Sequence, residues 1–124
     1  MTEAQSQHQP ETYSYLFSYK STAFGGALGA CHAIDVPFVF DNLARRGVDM
    51  LLGGITEETT ALGEATARAW LAMATNGSPR HDGLPEWPTY SAVQRSVMEL
   101  GPLRRVLDDP GSGVRQFWTS VFGD

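Results

Sequence analysis

The sequence predicts a mixed α/β fold, with two or so strands packed against about three helices. Aromatic residues alternate with smaller ones from Thr12 to Tyr19, which is the two-residue period of a strand. Between Glu57 and Asn76, the residues expected to face the core recur at helical spacing, which predicts a long helix. A short apolar segment, Val93–Leu100, stops at Gly101–Pro102 and favours a second strand. At 124 residues and 42% hydrophobic content, the chain suits a single domain, residues 1–124.

The first strand is predicted to begin after a polar segment, residues 1–10, which we expect to be frayed. Within the strand, alternation places every second side chain on one face of the sheet. The residues that share this face are Tyr13, Tyr15, Phe17 and Tyr19.

A loop, Lys20–Cys31, is predicted to lead to a short buried helix over Val36–Leu43. Pro37 suits the first turn of that helix, where its missing N–H costs nothing. Phe38 and Phe40 cannot point the same way on a helix, so we expect this block to be crowded on several sides. Arg45–Gly54 is predicted to be a connector.

The long helix over Glu57–Asn76 has clear signals at both ends. Thr56 is a suitable N-cap, and the acidic pair Glu57–Glu58 favours the positive end of the helix dipole. Gly77 and Pro79 terminate the pattern. The residues expected to face the core are Leu62, Thr66, Ala69, Trp70 and Met73.

The last third of the chain begins with an irregular, proline-containing segment, Ser78–Tyr90. Its Trp87 and Tyr90 are expected to cover the sheet. After the second strand, Asp108–Gly113 is predicted to turn, and Val114–Phe122 to form a last short helix with several apolar residues.

Composition and charge exclude several classes of function. The net charge of −5 and the scattered basic residues argue against a nucleic-acid-binding surface. No apolar run approaches the roughly 18 residues of a membrane span. Thr2–Pro10 is polar and shows no signal peptide, which favours a cytoplasmic location.

The cysteine and histidines indicate neither a disulfide nor a metal site. Cys31 is the one cysteine, and we interpret it as a small buried residue. His8, His32 and His81 have no metal-ligand spacing with one another or with Cys31. We therefore expect no metal and no other cofactor.

The segment from Gly25 to Asn42 combines a histidine with a glycine-rich run and an apolar block. Glycines let the backbone turn where a Cβ would clash, so His32 can be aimed outward into a cleft. A neutral imidazole is well suited to proton transfer near neutral pH. A packed, hydrogen-bonded structural histidine is the alternative, and the residues alone leave both interpretations open.

Five segments, in this order, resemble the type-B carboxylesterases, the cholinesterase-like and para-nitrobenzyl-esterase-like branch of the α/β-hydrolases. The resemblance covers nearly the whole chain, and it implies the C-terminal part of an α/β-hydrolase fold. The segments are TYSYLFSY at Thr12–Tyr19, GACHAIDVPFVF at Gly29–Phe40, AWLAMATNGSP at Ala69–Pro79, WPTY at Trp87–Tyr90 and RSVMEL at Arg95–Leu100.

The resemblance implies that His32 is the histidine of a catalytic triad and that the substrates are carboxylic esters. It also implies that Gly29 and Ala30 shape the loop and that Asp35 supports it. Asp35 departs from the family pattern, which usually has glutamate at this position, three residues after the histidine.

The nucleophile motif G-x-S-x-G does not occur in this sequence. Ser112 lies between Gly111 and Gly113, but the motif spacing is absent, and we interpret this segment as a turn. The resemblance places the serine and the triad acid in segments before residue 1. We therefore expect the chain alone to be inactive.

Two further interpretations remain open. The first strand would lack a neighbour, so its exposed edge is expected to bind either the missing N-terminal esterase portion or another copy of the chain. A non-catalytic interaction module using that edge is one alternative function. Another is a free-standing enzyme with different chemistry at His32, oriented by Asp35, Asp41 or Asp49.

Overall fold

The structure is a computed structural model and describes residues 2–123. Three strands and five α-helices are found in this range, with a 3-10 turn at Ala23–Gly26. The elements in chain order are α1 (Thr2–Ser6), β1 (Tyr15–Phe17), α2 (Val36–Val39), α3 (Val48–Leu52), α4 (Glu57–Asn76), β2 (Ser96–Leu100), β3 (Arg105–Asp108) and α5 (Ser112–Phe122).

The strands form one mixed sheet with β2 in the middle. β1 runs parallel to β2, with Tyr15 opposite Met98, and β3 runs antiparallel to β2, with Ser96 opposite Asp108. The predicted α/β class is confirmed. The additional strand, β3, was not predicted, because its sequence is short and charged at both ends and becomes a strand only by pairing with β2.

β1 is shorter than predicted, but its predicted aromatic face is confirmed. Tyr13 contacts Trp87 and Tyr15 contacts Trp70, with ring centroids 6.3 and 4.9 Å apart. Phe17 and Tyr19 both pack on Phe38, at 5.0 and 5.3 Å. The core therefore lies between this face of the sheet and the helices α2 and α4. Its largest fully buried apolar side chains are Phe38, Leu52, Leu62, Met98 and Leu100.

α4 has the predicted bounds and the predicted caps. Thr56 Oγ1 accepts from the Thr59 N–H at 3.2 Å, and Gly77 ends the helix in the left-handed conformation. The core position predicted for Met73 is wrong, since 38% of this residue is exposed. A Cβ at Gly63 would lie 2.7 Å from Leu43, so the segment that follows α2 covers α4 there, about 15 Å from Met73 along the helix.

The predicted helix after the histidine is only the four residues of α2, with Pro37 in its first turn. Phe38 is fully buried, but Phe40 is 70% exposed, so the expectation that this block is crowded on several sides is wrong for Phe40. The predicted connector contains the one-turn helix α3, of which Leu52 enters the core.

Trp87 is buried as predicted, and its Nε1 donates to the Ser14 carbonyl at 3.2 Å. At the start of the chain, Glu3 of α1 pairs with Arg95 at 2.7 Å. Within residues 2–123, no helix has both the length and the apolar character needed to cross a bilayer.

Candidate active site

His32 lies on the turn Cys31–Asp35, which we call the histidine turn, and it is solvent-exposed. The backbone around it is unusual on both sides. Gly29 has a φ of +55° and Ala33 a φ of +63°, both in the left-handed region. Such a backbone is costly for alanine, so the turn must be held by its surroundings.

Buried residues provide some of the contacts that stabilise this turn. Ile34 is 2% exposed and lies in the core, and its N–H donates to the Cys31 carbonyl at 3.3 Å. Pro37 and Phe38, immediately beyond the turn, are also buried. Buried side chains therefore hold the turn on its core side, while His32 is exposed to solvent.

The imidazole of His32 makes no hydrogen bond to any residue in the part of the chain that the structure describes. His81 shows what a structural histidine looks like here. Its Nδ1 accepts from the Gly83 N–H, and its Nε2 donates to the Ala65 carbonyl, both at 2.9 Å. His32 thus lacks the packing and the hydrogen bonds that the structural alternative requires.

Asp35 does not contact His32 through a hydrogen bond in residues 2–123, but it does bond to the first strand. Its carboxylate accepts from the Tyr15 hydroxyl at 3.2 Å. Burial, and then the Asp35 charge, raise the pKa of Tyr15, which favours the neutral hydroxyl that donates in this hydrogen bond. Any support that Asp35 gives to His32 passes through the backbone of the turn.

Gly29 and Ala30 lie just before the histidine turn. The Gly29 carbonyl accepts from the Ser21 N–H at 3.0 Å, which closes the loop on itself. A Cβ on Gly29 would meet no atom within 4 Å, so its backbone conformation, and not the space around it, favours glycine. Ala30 is exposed and follows in a bend.

The remaining sequence candidates are not brought to His32 by any hydrogen bond among the described residues. Asp41 and Asp49 are exposed, Cys31 is half-buried, and Ser112 begins α5. No group of three metal-binding side chains is found among residues 2–123.

Two features of the site could not be read from the sequence. The strained φ of Ala33 has no signal, since alanine is unusual in that conformation. The alternation pattern places Tyr15 on the correct face, but the partner of its hydroxyl lies 20 residues away.

The described residues combine a mixed three-stranded sheet with an exposed histidine on a turn that contains a left-handed alanine. The family model described as the carboxylesterase family matches residues 1–118. The chain belongs to that family.

Individual relatives agree with this assignment. The chain is 37% identical over 89 residues to phenmedipham hydrolase of Pseudarthrobacter oxydans, covering 71% of this chain and 18% of the relative. It is 32% identical over 116 residues to para-nitrobenzyl esterase of Bacillus subtilis, covering 91% and 22%. The chain therefore spans about one fifth of the length of these relatives.

Solved structures show the same fold. The carboxylesterase EST55 of Geobacillus stearothermophilus matches with a TM-score of 0.72 and 34% identity, over 86% of this chain and 21% of that one. A thermophilic PNB esterase matches with a TM-score of 0.78 and 26% identity, over 93% and 23%. The three-stranded sheet with its helices is thus one part of an α/β-hydrolase fold.

Proposed function

We propose that this chain is the C-terminal segment of a serine carboxylesterase and that His32 is the general base and then the general acid of its active site. The observation that carries the proposal is the exposed imidazole on a restrained turn, within a chain of the carboxylesterase family. Carboxylic esters are the proposed substrates. Para-nitrobenzyl esterase, whose name specifies ester hydrolysis as its own activity, supports this class.

In this mechanism, a serine oxygen attacks the ester carbonyl while the imidazole takes the serine proton. The same imidazole then returns the proton to the leaving alcohol, and a carboxylate on another segment holds the ring in the correct tautomer. Of these groups, the chain supplies His32, with the loop shaped by Gly29 and Ala30 and the turn supported by Asp35. The remaining parts of the esterase supply the serine, the acid and the oxyanion hole.

The 124-residue polypeptide alone is expected to be inactive, because G-x-S-x-G is absent from it. Loss of the serine costs on the order of a millionfold in turnover. The measurement is hydrolysis of a chromogenic acetate ester by the purified chain. Turnover that a serine-directed organophosphate abolishes would contradict the expectation.

Activity should appear when the chain is mixed with the N-terminal four-fifths of a related esterase. His32→Gln should then abolish turnover, whereas His8→Gln should leave it unchanged, since His8 is exposed and remote from the turn in sequence. A complex that forms and hydrolyses esters equally well with His32→Gln would refute the role of His32.

The binding surface for that partner is proposed to be the free edge of β1. The Ser14 carbonyl and the Ser18 N–H bond to β2, so the backbone groups of Tyr15 and Phe17 point away from the sheet. Such an edge accepts another strand, either from the rest of an esterase or from a second copy of the chain. A monodisperse monomer by light scattering at micromolar concentration would count against a homo-oligomer.

The non-catalytic interaction module is the second candidate, and the same free edge favours it. It predicts that the chain binds its partner with undiminished affinity after His32→Gln and that no in-frame G-x-S-x-G lies upstream in the gene. The cytoplasmic location stays a prediction from the sequence.

A further inference from the structure

We propose that Tyr15 is a positioning residue for His32. Its hydroxyl ties the Asp35 end of the histidine turn to β1 and so determines how firmly the imidazole is presented. The consequence for catalysis rests on the proposed function of His32, whereas the structural link does not.

The backbone and the side chain of Asp35 form hydrogen bonds with two different elements. Its carbonyl accepts from the Phe38 and Val39 N–H groups at 3.0 and 2.9 Å, which starts α2. Its carboxylate makes no capping bond to that helix. The carboxylate is therefore available to reach across to the strand, where it accepts from Tyr15 at 3.2 Å.

Tyr15 is itself held from two sides. Its backbone belongs to β1, and its ring meets Trp70 of α4 edge to face, with an interplanar angle of 82°. A tyrosine has only two side-chain torsions, so little conformational freedom is lost when its hydroxyl is placed. The backbone and ring thus give the phenol a defined position, while 41% of the residue stays exposed and its bond to Asp35 lies at the surface.

The backbone of the histidine turn has an unfavourable conformation, which a hydrogen bond from Tyr15 to Asp35 can help to stabilise. Ala33 has a left-handed backbone, and the backbone hydrogen bonds next to it, from Ile34 to Cys31 and from Val36 to Ala33, measure 3.3 and 3.2 Å. Among residues 2–123, the Tyr15–Asp35 bond is the one side-chain hydrogen bond from this turn to another element. Ile34 anchors the middle of the turn in the core, and Tyr15 anchors its end.

The test is amide hydrogen exchange of Ile34 and Val36, together with the imidazole signals of His32, by NMR on the 124-residue chain. Tyr15→Phe keeps the ring on Trp70 and removes only the donor. It should speed exchange at both amides about two- to tenfold, the range for losing one net hydrogen bond, and shift the His32 signals. Tyr13→Phe is the matched control, because that hydroxyl bonds to Glu11 and Ser78 and not to the turn.

Substitutions of Asp35 give an independent readout and do not disturb the contact with Trp70. Asp35→Asn keeps an acceptor for Tyr15 and should retain slow exchange, whereas Asp35→Ala should match Tyr15→Phe. The double variant Tyr15→Phe/Asp35→Ala should be no faster than either single variant. Unchanged exchange and unchanged His32 signals in both Tyr15→Phe and Asp35→Ala would overturn the proposal.

The activity arm uses the chain complemented with the N-terminal part of an esterase. Tyr15→Phe should lower kcat severalfold with little change in KM, and Asp35→Asn should recover most of the kcat that Asp35→Ala loses. If exchange responds to Tyr15→Phe but His32→Gln does not affect turnover, the positioning link stands and the proposed function fails. If His32→Gln abolishes turnover but Tyr15→Phe changes neither exchange nor kcat, the proposed function stands and the positioning role of Tyr15 fails.

Discussion

Thr66 is a buried polar residue on α4 that makes no hydrogen bond with its hydroxyl in the part of the chain that the structure describes. Thr59, on the same helix, is buried to nearly the same extent, but its hydroxyl accepts from the Thr56 N–H at 2.8 Å. An unsatisfied buried hydroxyl opposes folding, while a satisfied one contributes. The two threonines therefore have opposite expected effects when they are replaced.

Thr66→Val should leave the free energy of unfolding unchanged or raise it by up to about 1 kcal/mol, because it replaces an unpaired hydroxyl with a methyl of similar shape. Thr59→Val should lower the free energy of unfolding by about 1 kcal/mol through loss of the N-terminal cap. Urea unfolding followed by circular dichroism measures both. Equal losses in the two variants would contradict this interpretation.

Ala33 is the second residue with a distinctive expectation. Its φ of +63° is one that glycine adopts freely, so Ala33→Gly should stabilise the chain by up to about 1 kcal/mol. Ala27 has an ordinary φ of −62° and serves as the control, since Ala27→Gly should destabilise slightly. The free energies of unfolding in urea compare the two, and a destabilised Ala33→Gly would argue against strain at this position.

Among the elements, α3 shows how a single glycine joins two parts of the fold. Gly53 ends α3 with a φ of +83°, and a Cβ there would lie 2.2 Å from the Thr22 hydroxyl and 2.5 Å from the Ala23 nitrogen. The Thr22 N–H donates to the Leu52 carbonyl at 3.2 Å, so the loop before the histidine turn is pressed against the end of the helix. Glycine is required at this point for both conformation and space.

Gly53→Ala should lower the free energy of unfolding by about 2–4 kcal/mol, which combines a left-handed alanine with a steric clash. Gly77→Ala is the matched control. Gly77 also has a positive φ, +73°, but a Cβ there meets nothing within 4 Å, so only about 1 kcal/mol is expected. Thermal or urea unfolding distinguishes the two, and a loss no larger at Gly53 than at Gly77 would show that the close approach is unimportant.

Elements with signals in their own sequence were predicted well. The bounds of α4 follow from Thr56 and Gly77, whose capping effects reach only a turn along the helix. β3 could not be predicted in the same way, since Arg105–Asp108 becomes a strand through its pairing with β2. For the same reason, exposure of Met73 and Phe40 depends on what packs above them and not on their own spacing.

At the scale of the whole molecule, three ion pairs are found among residues 2–123, and each has at least one partly exposed partner. They are Glu3–Arg95, Glu99–Arg105 and Asp109–Arg115. In each pair, a hydrogen bond from the arginine is the largest cause that holds the pKa of the carboxyl below its ordinary value. These pairs therefore link the stability of the molecule to acid pH.

A carboxyl whose pKa is lower in the folded state than in the unfolded state stabilises the fold fully above the unfolded value. For Glu99, whose ordinary pKa is 4.5, this contribution should be lost as the pH falls below about 4.5 and through the lowered folded value. Arg105→Gln should flatten that part of the curve of unfolding free energy against pH, and Arg45→Gln, at an exposed position, should not. Parallel acid limbs in all three proteins would contradict the assignment.

The molecule also exposes an apolar surface on α5. α5 has no buried residue, and its large apolar side chains are between 52% and 77% exposed. They are Val114, Phe117, Trp118, Val121 and Phe122. Together with the free edge of β1, they are consistent with a chain that spans about one fifth of the relatives it matches.

The sequence by itself determined the α/β class, the span of the long helix, the aromatic face of the first strand and the family, because periodicity, caps and ordered motifs lie in residues close together along the chain. It also singled out His32. Only the tertiary structure decided that this imidazole is exposed, that Ala33 is held in a left-handed backbone, and that Tyr15 bonds to Asp35. These features arise from contacts between segments far apart in the chain, and such contacts exist only after the sheet and helices have packed.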